Sequence, residues 1–189
     1  MWLNKNVAVL VTAVALIIST LVLTKRKANY VESLAILVLV VYVGVVVAIT
    51  EFPFPISIQS NEVFGAGYNL VPFKSIVACW QQAIDFGMPG VFVRQVIGNV
   101  LLFVPLGVLL PRVLPMCQRL RGVLLLAACG SVAIELIQLL NGLRLGTLYR
   151  APDVDDVFLN VLGAMLGYGA YRLACLFYRR WRAARPYLS

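Results

Sequence analysis

The sequence predicts an all-α integral membrane protein of about five transmembrane helices, with a short interfacial helix in the loop between the second and third spans. Three observations lead there. Of 189 residues, 61% are hydrophobic and the mean hydropathy is +0.91, against roughly half apolar in soluble domains. Charged residues make up only 13% and fall in short clusters. Between the clusters lie uncharged runs of the length a bilayer asks of a helix. A single membrane domain, 1–189, accounts for the chain.

The spans follow in order. Residues 6–24, between Lys5 and Lys25, are uncharged and rise about 28 Å as a helix, which matches the hydrocarbon thickness. No small-residue cleavage pattern follows this run, and Lys25-Arg26-Lys27 comes next, so it reads as a retained span, with a cleaved signal peptide as the alternative. Residues 33–50, bracketed by Glu32 and Glu51, are rich in Val and Ile, which suit a lipid-facing helix whose backbone bonds are all internal. The third span, 96–110, is shorter, carries Asn99 and a Pro105-Leu106-Gly107 break, and starts as early as Val91 if it gains a turn. Residues 122–140 and 157–178 supply the fourth and fifth.

The segment from Glu51 to Gln95 holds too many prolines and glycines to cross a membrane. From Ser75, taken as an N-cap, Ile76, Val77, Trp80 and Ile84 recur at helical spacing and Gly87 closes the pattern. That describes a helix lying in the interface with Trp80 as anchor; a re-entrant or packed loop is the alternative. Gly65-Ala66-Gly67 is too short for a phosphate loop and lacks a strand-to-helix setting.

Sixteen Lys and Arg against eight Asp and Glu would suit nucleic acid, but the basic residues flank apolar runs. Membrane lipids are the expected partners, and nucleic acid is not. Cys79, Cys117, Cys129 and Cys175 show no CxxC pairing and the chain has no histidine, so neither a disulfide framework nor a metal centre is expected. With five spans, ten basic residues (Lys25, Arg26, Lys27, Arg112, Arg119, Arg121, Arg179, Arg180, Arg182 and Arg185) share one side, against Lys5, Lys74, Arg94, Arg144 and Arg150 on the other. The positive-inside rule then sets the N-terminus outside and the C-terminus in the cytoplasm of a bacterial-type cell. Arg172, near the inner end of the fifth span, snorkels to the headgroups.

Polar residues inside the spans mark the candidate site. Ser131, Glu135 and Gln138 share one face of the fourth span, with Glu135 about 7–8 Å inside an outer end at Leu140. Asp153, Asp156 and Asn160 share a face that continues into Gly163 and Gly167, a small-xxx-small pattern for close helix packing, here expected to bring spans four and five together. Asn99 sits near the outer end of span three, and Arg150 arrives from the outer loop to orient Asp153 or grip an anionic ligand group. Pro152 followed by Asp153, Asp155 and Asp156 is equally a well-made helix start, with proline in the first turn and acids at the positive end of the macrodipole. Glu135 and Gln138 have no such explanation, and an intramembrane acid is a functional candidate by default.

At these residues the chain resembles the VanZ-like membrane family. The resemblance is carried by Asn69-Leu70-Val71-Pro72-Phe73, by Asn99-Val-Leu-Leu-Phe103-Val-Pro105-Leu-Gly107, by Ser131-x-x-x-Glu135-x-x-Gln138, and by Arg150-x-x-Asp153-x-Asp155-Asp156-x-x-x-Asn160-x-x-Gly163-x-x-x-Gly167, over about 69–170. Pro152 stands where an aromatic or aliphatic residue is usual, and Val161 where threonine is common. The resemblance implies a link to resistance against teicoplanin, a lipid-tailed glycopeptide that acts outside the membrane on cell-wall precursors. The expected function is binding or shielding at the outer face, with a lipoglycopeptide or lipid-linked cell-wall precursor as partner. An intramembrane enzyme acting on a lipid-linked substrate is the alternative, in which the carboxylates serve as acid and base or hold Mg²⁺; no cofactor is otherwise expected. It lacks an evident nucleophile. A proton-coupled carrier using Glu135 is the third, disfavoured because five spans carry no internal repeat.

Overall fold

The computed structural model describes residues 2–3, 5–26, 29–52, 54–55, 68–145 and 152–184. Five helices among them are long and apolar enough to cross a membrane: Asn6–Lys25, Tyr30–Thr50, Pro89–Val113, Leu120–Leu145 and Val154–Ala183. The chain is thus a multi-pass helical membrane protein.

Helices α1 (Lys5–Arg26) and α2 (Tyr30–Thr50) form an antiparallel hairpin. The Asn29 side chain caps α2 by accepting the Val31 N–H at 3.1 Å. Gly44 lets the pair close, because a Cβ there would collide with the Thr12 side chain. Trp2–Leu3 and Phe54–Pro55 add a two-residue antiparallel pairing. Helix α1 packs chiefly on α2, and most of its large apolar side chains face outward, as expected where lipid is the solvent.

Helix α3 (Lys74–Asp85) occupies the expected interfacial position in the sequence. Val77, Trp80 and Ile84 are exposed along one of its faces, and the Trp80 ring meets Phe92 edge-on at 5.4 Å. Gly87, at φ +62°, lets the chain turn away after Phe86. The start differs from expectation: the N-cap position is Phe73, at φ 66°, and Ser75 lies inside the first turn.

The third span is longer than the sequence suggested. It begins with Pro89 in the first turn of α4 (Pro89–Phe92), passes through a π-helical segment at Val93–Ile97, and continues as α5 (Gly98–Val113). Pro105 and Pro111 both lie within α5, so Pro105-Leu106-Gly107 is not a break. Gly107 has a different task, since its bare Cα is where α7 crosses. A 3₁₀ turn at Pro115–Gln118 leads to α6 (Leu120–Leu145), and α7 (Val154–Ala183) completes the bundle.

The most extensive packing is between α5 and α7. A Cβ on Gly163 would strike the Val100 carbonyl oxygen, one on Gly167 the Val104 carbonyl oxygen, and one on Gly107 the Ala164 carbonyl oxygen. The small-xxx-small face of α7 therefore seats α5 and not α6, although the polar ends of spans four and five do meet, through Glu135 with the Asp153 N–H and Asn160 with Ser131. Helix α6 packs elsewhere on α7, and Phe103, Leu110, Val123, Ala127, Ala164 and Tyr168 fill the space between. At the far end the Tyr168 hydroxyl donates to the Gln118 carbonyl at 2.8 Å, and Arg172 both donates to Tyr168 at 3.2 Å and lies over its ring. Arg172 is held by tyrosine at that depth.

Gly163→Ala is expected to destabilise the protein by about 1–3 kcal/mol, the usual cost of overpacking, because the obstacle is backbone. Gly169→Ala, with open space around its Cβ, serves as control. Thermal unfolding in detergent measures both; equal melting temperatures would remove the α5–α7 seam from the account.

Candidate functional site

The site is assembled around the first turn of α7, where Asp153, Asp155 and Asp156 point to three different elements. Asp153 is the N-cap of α7: its Oδ1 accepts the Asp155 N–H at 2.9 Å and the Asn69 amide at 2.8 Å. Asn69 is bound by backbone as well, its N–H donating to the Pro152 carbonyl at 2.9 Å and its carbonyl accepting the Val154 N–H at 3.0 Å. The 69–73 segment is thereby laid along the start of α7.

Asp155 is fully buried (0% exposed) and belongs to α3 as much as to α7. Its carboxylate accepts the N–H groups of Phe73 at 2.5 Å, Ser75 at 2.9 Å and Ile76 at 3.3 Å. These are the donors a helix N-terminus leaves unpaired, and a carboxylate there also meets the positive end of the macrodipole. A left-handed Phe73 costs about 1–2 kcal/mol. Its ring stacks on Phe158 of α7 at 6.2 Å, offsetting part of that strain.

Asp156 faces the other way. Its Oδ1 accepts the side-chain amides of Gln95 at 3.1 Å and Asn99 at 2.5 Å, one turn apart across the π-helical junction. Glu135 reaches the same layer from α6, accepting the Asp153 backbone N–H on Oε2 at 2.8 Å. Because α6 runs to Leu145, Glu135 lies ten residues, about 15 Å, from its end, deeper along the helix than an end at Leu140 implied. Asn160, one turn below Asp156, donates to the Ser131 hydroxyl at 2.8 Å, and Gln138 donates to the Thr50 carbonyl at 3.3 Å.

These side chains border a chamber of about 730 Å³ between α2, α5, α6 and α7. Its polar end carries Gln95, Asn99, Glu135, Gln138, Asp156 and Asn160; Ile49, Ile97 and Leu101 give it an exposed apolar rim. The chamber thus joins a polar end to an exposed apolar rim. Of the residues expected at the site, Asn99, Glu135, Gln138, Asp156 and Asn160 line the chamber, while Ser131 and Asp153 stand behind Asn160 and Glu135. Gly163 and Gly167 lie on the α5 seam. Arg150 and Gly65-Ala66-Gly67 lie outside the described residues.

Three contributors escaped the sequence reading of the site. Gln95 precedes Asn99 by four residues, a spacing that would have found it had the span been drawn from Pro89. Asp155 and Asn69 were visible as motif letters, but their task is set by contacts across more than 80 residues of chain. On metals, the described residues contain no group of three His, Cys, Asp or Glu side chains placed to hold an ion. Cys79, on α3, is an unsuitable nucleophile: burial, then the negative charges of Asp153, Asp156 and Asp155, push its thiol up, away from the reactive thiolate.

A multi-pass helical membrane protein with a carboxylate-and-amide chamber between its helices is the class that fold and site define. Within it, the chain belongs to the VanZ/LLP1 family, whose model matches residues 34–177. The match runs from within α2 to within α7, takes in the site, and leaves out α1. No curated protein and no solved structure matches the chain.

Removing the α3 cap has a local signature. Asp155→Ala should speed amide exchange at Phe73, Ser75 and Ile76 by about thirtyfold, from about 2 kcal/mol for charge-assisted bonds. Asp156→Ala should leave those amides protected. Hydrogen exchange read by mass spectrometry decides it, and unchanged protection in Asp155→Ala would dissociate α3 from that carboxylate.

Proposed function

We propose that this protein binds the head of a lipid-anchored molecule in the chamber at the outer face of the membrane and, as a VanZ-like protein, contributes in this way to resistance against lipid-tailed glycopeptides such as teicoplanin. The observation that carries the reading is the chamber itself: a polar end that fixes a headgroup and an apolar rim that passes its chain to the bilayer. An exposed apolar rim beside a polar end suits a ligand that carries an acyl chain. The outer location is supported by the distribution of basic residues, ten on the side opposite the site against five. Binding is favoured over catalysis because Glu135 and Asp156 already hold protein donors and no activated nucleophile stands among the described residues of the chamber.

Purified protein is expected to bind teicoplanin more tightly than a glycopeptide without an acyl tail. Glu135→Gln, which removes the charge and keeps the shape, should weaken that binding by about tenfold or more, the worth of one hydrogen bond to a charged group. In cells, the deletion strain and the Glu135→Gln strain should show the same loss of protection against the lipidated drug alone. Tail-independent binding, unmoved by Glu135→Gln, would sink the reading. An Asp85→Cys variant, at an exposed position on α3, tests the orientation, since an impermeant thiol reagent should label it from outside intact cells beyond the labelling of the parent protein; added labelling only after lysis would reverse it.

A further inference from the structure

The hydrogen bonds of the chamber leave a group of acceptors open. Each of its four amides gives one N–H to the protein: Gln95 and Asn99 to Asp156 Oδ1, Gln138 to the Thr50 carbonyl, Asn160 to the Ser131 hydroxyl. The oxygens are less completely met. Among the described residues, no donor reaches the second carboxylate oxygens, Glu135 Oε1 and Asp156 Oδ2. Asn160 is only 3% exposed, and its Oδ1 is a buried acceptor without a partner. A buried acceptor left without a donor is costly, and native structures rarely keep one for no reason. Arg94 is the one cation among the lining residues, and it is exposed at the edge.

Resting on the reading above that the chamber takes a lipid-anchored head, we infer that the head it selects is a hydrogen-bond donor: a lipid whose headgroup ends in hydroxyl or ammonium groups, which meet Glu135, Asp156 and Asn160 while the acyl chain leaves over Ile97 and Leu101. Three acceptors at one end, two of them carboxylates, attract polyols and amines. The same carboxylates repel a terminal phosphate, which would bring further negative charge to that wall. Side-chain chemistry and the exposed rim together therefore favour glycosyl or amino headgroups over phosphomonoesters.

The test uses the whole protein in detergent and three lipids with identical acyl chains: a glucosyl diacylglycerol, phosphatidylethanolamine and phosphatidic acid. Retention is read by native mass spectrometry. The glucosyl or the ethanolamine lipid is expected to be retained over phosphatidic acid by about tenfold or more, and Asn160→Leu should erase most of that preference. Asn160→Asp, which keeps the volume and the acceptors, should preserve it, so that a loss in both variants would mark a merely structural role and count against the proposal. Preference for the glucosyl lipid assigns hydroxyl recognition; preference for phosphatidylethanolamine assigns ammonium recognition. Phosphatidic acid retained as well as either overturns the donor rule and leaves lipid binding standing. If none of the three is retained, the proposal falls; the underlying reading falls with it only if teicoplanin binding is also indifferent to Glu135→Gln.

Discussion

A carboxylate in the low-dielectric interior of a bilayer has to be met by donors, and the start of α7 brings three carboxylates within four residues. That requirement organises everything on this side of the protein. Asp153 takes the backbone of its own helix and the Asn69 amide, Asp155 takes the open N-terminus of α3, and Asp156 takes two amides from the third span. Each acid recruits a separate element. The 69–85 segment, the π-helical junction and α6 are thereby tied to one turn of helix, with Glu135 completing the link through the Asp153 N–H.

Below this polar layer the physics changes. Helices α5 and α7 meet through glycines whose missing Cβ atoms let backbone touch backbone, and no polar pairing is needed there. The two regimes support each other. Close packing at Gly163 and Gly167 fixes the height of α7 against α5, which sets Asp156 opposite Gln95 and Asn99. The π-helical segment inserts an extra residue where those amides must converge, a local irregularity of the kind that recurs at functional sites. The chamber is lined from this segment onward, by Val93 through Leu102 on the third span.

Most of the architecture was legible in the sequence, because hydrophobic runs bounded by charges are a direct consequence of solvation by lipid. All five spans, the interfacial helix with Trp80 and the turn at Gly87 could be read that way. Boundaries were less legible. Pro105 looked like a break, yet α5 passes through it, and Pro89 looked like a loop residue although it opens the span. At the site, Glu135 stood out because a lone acid in an apolar run is expensive. Asp155 did not, since its cap belongs to a helix some 80 residues earlier, and no local pattern encodes that distance. The glycines of α7 announced close packing but not the partner, because periodicity identifies a face and says nothing of what covers it.

Coupling between α3 and the chamber gives the arrangement a functional consequence. The carboxylate that caps α3 and the carboxylate that faces the chamber are adjacent residues, so the interfacial helix and the ligand wall share one turn of α7. A headgroup held at Glu135 and Asp156 would be tied through that turn to a helix that exposes an apolar face of Val77, Trp80 and Ile84. The most direct measurement is a crystal structure grown from a lipid mesophase supplied with cell-membrane lipid. The account predicts density for a headgroup within hydrogen-bonding distance of Glu135, Asp156 and Asn160, continuing as an acyl chain past Leu101. A chamber closed by α2 against α5, or holding only water against those three residues, would contradict it.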